Sequence, residues 1–94
     1  MDFLEMKPVQ NPDTAWRAVD EECIIITPRK SVATVLNPVG TRVWQLADGN
    51  RSVKEIIEKI LDEYLTERDA VEKDIEEFLT DLEKRGLLKL EEPG

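Results

Sequence analysis

The chain predicts an α+β fold in the order β-β-β-α-α-α, a three-stranded antiparallel sheet followed by three helices. Three observations carry that prediction. Short β-branched runs fill residues 14–36 and are separated by turn-forming residues. From residue 38 onward the apolar positions change to helical spacing. Cap and stop signals then divide that half into three helical stretches. With 94 residues, 40% hydrophobic and 36% charged, the chain can build one domain around one modest core.

Residues 1–13, "MDFLEMKPVQNPD", hold two prolines and no sustained period. They read as an irregular, flexible arm ahead of a domain at residues 14–90. Phe3, Leu4 and Met6 are available to pack on that domain or on another subunit. Trp16 to Val19 is a short strand, Asp20-Glu21-Glu22 a turn, and Cys23 to Thr27 a second strand. Consecutive Ile24, Ile25 and Ile26 imply apolar contact on both faces, or one face in the core and one under the N-terminal arm. "PRKS" connects to a third strand, Val32 to Leu36, because Pro28 cannot donate to a ladder. Three short strands in succession favour an antiparallel meander.

Asn37 is a good N-cap, and Pro38 suits the first helical position because its missing N–H would have no partner there. The first helix runs to about Asp48, with Gly49 suited to a left-handed stop. Trp44 lies partly off its apolar face, able to cover the sheet edge or meet a partner. Ser52-Val53-Lys54-Glu55 is a capping box. The second helix carries Val53, Ile56, Ile57, Ile60, Leu61 and Tyr64 as one continuous apolar stripe. Asp69 is a candidate cap for the third helix, whose stripe is Val71, Ile75, Phe78, Leu79 and Leu82. Gly86 ends it, and "LLKL" is a short extended tail. A small sheet beside three helices resembles a winged helix-turn-helix, with the hairpin as the wing.

The residue inventory argues against catalysis and against metal binding. There is no histidine, which removes the commonest general base, the commonest metal ligand and the Ser-His and Cys-His pairs. Cys23 sits beside three isoleucines and reads as a small buried hydrophobe. The carboxylates cluster on helix faces, and no Asp/Gly-rich loop gathers oxygen ligands for calcium or magnesium. The four glycines form no phosphate-cradling motif, so no cofactor is expected. Ser52 opens a helix as an acyl carrier's serine does, but it stands in Arg51-Ser52-Val53 rather than Asp-Ser-Leu, and its capping role explains it. A single cysteine, no signal-peptide pattern and no apolar run near the roughly 20 residues of a membrane span make a cytoplasmic protein the expectation.

Charge bears on the winged-helix comparison. The net charge is −8, with five Lys/Arg against six Asp/Glu in residues 1–47 and eight against fifteen in residues 48–94. The third helix, which would enter a DNA groove, has seven acids and three bases between Asp69 and Arg85. Phosphate backbones repel such a face, so a winged-helix DNA-binding regulator is the alternative reading and nucleic acid is not an expected partner.

Trp16 to Val19 ahead of an apolar strand, then Leu36-Asn37-Pro38, Asp48-Gly49, Ser52-Val53-Lys54-Glu55-Ile56-Ile57 and Gly86-Leu87-Leu88, form an ordered set across about residues 14–88. That set resembles the pyrroloquinoline quinone biosynthesis protein D (PqqD-like) family. The resemblance implies a non-catalytic precursor-peptide recognition element. Such domains bind the leader of a ribosomally made precursor peptide and deliver it to a modifying enzyme, often a radical S-adenosylmethionine enzyme. In the family the leader adds as a strand to the third strand and lies against the third helix. Carried over, the edge is Val32, Ala33, Thr34, Val35 and Leu36, and the opposite wall is Val71, Asp74, Ile75 and Phe78. Either Val32, Thr34 and Leu36 or Ala33 and Val35 face the core; Leu36 beside the cap favours the first set. The acidic third helix suggests some positive charge on the leader or enzyme surface it meets. An open strand edge and the arm also permit a homodimer.

Overall fold

In the computed structural model, which describes residues 2–27 and 32–93, a 3-10 turn at Phe3–Glu5 leads into strand β1 (Lys7–Gln10). Strands β2 (Ala15–Val19), β3 (Glu22–Thr27) and β4 (Val32–Leu36) follow, then helices α1 (Pro38–Leu46), α2 (Val53–Glu63) and α3 (Arg68–Lys84), and strand β5 (Leu88–Glu91). The expected connection at residues 28–31 lies outside the described residues.

Strands β2, β3 and β4 form an antiparallel sheet in that order, with Ile25 opposite both Trp16 and Thr34 and Cys23 opposite both Ala18 and Leu36. Alternation sends Cys23, Ile25 and Leu36 into the core. Ile24, Ile26 and Val35 face outward and are 40%, 46% and 61% exposed. The expected second apolar cover over the isoleucines is therefore corrected: one face of β3 is buried and the other is open. The N-terminal segment does not cover it, because β1 pairs elsewhere. Burial pushes the Cys23 thiol up, with a hydrogen bond to the Arg17 backbone opposing.

The helices form where their caps and stripes predict, with shifts at the ends. Asn37 Oδ1 accepts from Gly40 N at 2.7 Å and Pro38 opens α1. α1 stops at Leu46, two residues short of the expected Asp48, because Ala47 leaves the helical region. Ser52 and Glu55 exchange both capping-box bonds, at 3.1 and 2.9 Å. Asp69 is not the cap of α3: the helix starts at Arg68, Glu67 is the cap without a side-chain bond, and Asp69 stands in the first turn. There its charge still suits the positive end of the helix. The stripes Val53, Ile56, Ile57 and Ile60 of α2 and Val71, Ile75, Leu79 and Leu82 of α3 meet Val43, Trp44 and Leu46 of α1 and the inner sheet face. Trp44 is fully buried, and its ring meets Trp16 of the edge strand β2 edge to face with centroids 6.4 Å apart. Arg42 forks onto Glu63 at 2.8 and 2.9 Å, tying α1 to the end of α2; that hydrogen bond holds the Glu63 carboxyl below its usual range.

The largest departure is at the N-terminus. The segment read as an irregular arm contains β1, which pairs antiparallel with β5, the expected extended tail. Met6 O accepts from Val53 N at 2.8 Å, Pro8 O from Gly49 N at 3.0 Å, and Gln10 N donates to Ala47 O at 3.0 Å. Pro8 O and Gln10 N thus point at the helix ends, away from β5. Pro8 is tolerated inside a strand because its missing N–H is on the side that β5 does not use.

Candidate functional site

β4 is the last strand of its sheet, so among the described residues its outer edge carries unpaired backbone groups. Its register answers the question of facing. Leu36 is buried, Thr34 is half-buried on the inner side, and Ala33 and Val35 are exposed on the outer side. That is the favoured assignment for these four residues; the Val32 side chain lies outside the described residues.

The C-terminal end of α3 stands beside this edge. The Arg85 guanidinium donates to the Thr34 hydroxyl and pairs with Asp81 at 3.4 Å. At the other end of β4 the chain turns at Asn37 into α1, and there a groove of 680 Å³ opens. Its α3 wall is Val71, Asp74, Ile75 and Phe78, joined by Glu77. All four α3 residues expected from the sequence thus line one groove. Val71 and Ile75 are also core residues, 8% and 2% exposed, so they serve as its floor. The strand residues do not line the groove; they form the edge that leads into it.

Sequence reasoning missed the opposite wall. Asn37, Val39, Gly40 and Val43 come from α1, Ile60 from α2, and Tyr64, Leu65 and Thr66 from the α2–α3 linker. Gly40 lets α1 approach α3 closely: a Cβ there would meet the Phe78 ring at 3.3 Å and Asn37 Oδ1 at 3.1 Å. Two signals were available. Val39 is apolar one residue after the helix-starting proline, and Leu65 is an apolar residue beyond the end of its stripe. Leu65 is fully exposed and Val39 is 38% exposed, so the groove has apolar side chains at its mouth as well as in its floor.

Among the described residues, the charged groups that line the groove are Asp74 and Glu77, with no Lys or Arg. Among the described residues no group of three His, Cys, Asp or Glu side chains could hold a metal ion. Among the described residues no helix is long and apolar enough to cross a membrane. Chemically, the arrangement offers backbone pairing along one strand, then apolar contact, then negative charge.

Comparison with known proteins bears on the family and the fold. Residues 22–88 match the family model of coenzyme PQQ synthesis protein D (PqqD). The structure of TbiB1 in complex with the TbiA(β) leader peptide superposes with a TM-score of 0.79 at 27% identity, covering 86% of this chain and 94% of that one. A lasso peptide synthetase B1, complexed with the leader peptide, gives a TM-score of 0.78 at 20% identity over 88% of this chain and 98% of that one, and bears on the fold alone. No curated protein matches the chain. With two thirds of its length inside the family match and the expected α+β, winged-helix-like order present, the chain belongs to the PqqD family.

Proposed function

We propose that this chain is a non-catalytic adaptor. It captures the leader of a ribosomally made precursor peptide by strand addition to β4 and presents it to a modifying enzyme of the radical S-adenosylmethionine type. The observation that carries the reading is the junction of a free strand edge with an apolar groove at Asn37. An incoming backbone satisfies the unpaired groups of residues 32–36, and side chains beyond the strand find Val39, Leu65, Val71, Ile75 and Phe78. The early cap at Asn37 holds the end of β4, so the edge is formed before the guest arrives and little ordering entropy is lost there. The leader-bound TbiB1 structure, at 27% identity, supports the same reading. The chemistry is left to the partner enzyme: this chain has no histidine, and its one cysteine is buried. Homodimerisation through β4 would use the same edge and so would compete with the peptide.

Precursor peptides encoded beside this protein's gene supply the test. Titrated into the isotope-labelled protein, the cognate leader shifts the amide signals of residues 33–36 together with those of Asp74, Ile75 and Phe78. If all such peptides leave these signals in place, the reading fails.

A further inference from the structure

Among the described residues, the groove has charge of one sign and no internal partner for it. α3 pairs Glu72 with Arg68 and Asp81 with Arg85, but among the described residues Asp74 and Glu77 belong to no ion pair. Both are exposed, and both line the groove. Three residues apart, they sit on one side of α3 about one turn from each other, flanking Phe78. The row continues through Asp81 to Arg85, whose guanidinium is already engaged with Thr34 at the strand edge. A guest that enters along β4 therefore meets a spent cation first and two unspent anions next.

We propose that the groove selects peptides in which Lys or Arg stands within two residues of a large apolar side chain. The apolar group packs against Val39, Leu65 and Phe78, and the cation reaches Asp74 and Glu77. This rests on the strand-addition reading above and adds the class of sequence that is bound. Selection works in both directions. A basic segment gains charge-assisted hydrogen bonds and faster encounter, while an acidic segment brings like charge to a chain of net charge −8. Because the pairs are exposed, their contribution is to preference more than to raw affinity.

A random dodecapeptide display library is the probe. It is selected on the native protein, on Asp74→Asn/Glu77→Gln, and on Glu58→Gln/Glu83→Gln, which removes the same charge away from the groove. The native protein and the distant variant enrich Lys and Arg next to Leu, Ile or Phe, and the groove variant does not. A selected Lys-bearing peptide binds the groove variant about three- to tenfold more weakly in 50 mM salt, the loss of two exposed pairs, and the gap closes in 500 mM salt. Peptides that shift the amides of residues 33–36 without basic enrichment, or enrichment that survives in the groove variant, overturn the charge preference and leave strand addition standing. A library whose binders never shift those amides overturns strand addition, and this proposal with it.

Discussion

Gly49, in the connection between α1 and α2, has φ of +83°, and its N–H reaches Pro8 O at 3.0 Å. A side chain there suffers twice. The left-handed conformation costs an L residue about 1–2 kcal/mol, and a Cβ would stand 3.3 Å from Val9 Cγ2. Gly86, with φ of +76°, has nothing within 4 Å of the same position. Gly49→Ala is therefore expected to lower the melting temperature more than Gly86→Ala, with both below the native protein in a thermal melt followed by circular dichroism. Equal losses would remove the Val9 contact from the account. The caps Asn37, Ser52 and Glu55 and the stop at Gly86 were legible because each depends on one residue and its neighbours, whereas Gly49 takes its left-handed turn two residues past the Ala47 cap rather than ending α1 itself. Asp69 was not legible in the same way. An acid one or two residues inside a helix and an acid at its cap look alike in sequence, since both favour the positive end of the helix.

The least legible element is β1. "KPVQ" has a proline inside it and its partner strand lies some eighty residues on, at Leu88–Glu91. No local pattern can announce a pairing between the two ends of a chain, and a proline argues against a strand unless the direction of its missing N–H is known. The three-stranded sheet was legible because its pairings are between neighbours in sequence. The groove divided along the same line. Its α3 wall is what the family resemblance implies, laid on and beside one helical stripe, whereas the α1 wall and Leu65 come together only once three helices have packed. Strand β1 also has a consequence for stability. Through Met6 O, Pro8 O and Gln10 N the N-terminal segment ties down the end of α1, the turn at Gly49 and the start of α2, and Asn11 Nδ2 donates to Gly86 O at 2.8 Å beyond α3. Deleting residues 2–11 removes these bonds, each contributing about 0.5–1.5 kcal/mol, and uncovers β5. The expected result is a lower urea midpoint, with the unfolding free energy reduced by several kcal/mol, or loss of the cooperative transition. A truncated protein that unfolds at the native midpoint would show that the segment does not brace the fold.

Across the whole molecule, shape and charge point to different ligands. Three helices beside a hairpin are the outline of a DNA-binding winged helix, yet the helix that would enter the groove, Arg68–Lys84, holds seven acids and three bases. Nucleic-acid affinity depends on Lys and Arg displacing the cations condensed on phosphate, and each such contact strengthens as salt is lowered. Here lowering the salt strengthens only repulsion, since residues 48–94 carry −7 of the total −8. The half of net charge −1 supplies the sheet, whose outer edge needs no charge to pair with a peptide backbone. Fold and function separate at this point: the winged-helix frame is retained while its surface chemistry suits a polypeptide guest. The corresponding prediction is that duplex DNA shows no mobility shift with this protein even at 20 mM salt and at protein concentrations of tens of micromolar, where non-specific binding by a basic winged helix would saturate. A shift that appears at low salt and fades with added salt would mean that the basic side chains of the sheet half form a phosphate-binding face, and the polarity argument would then fail.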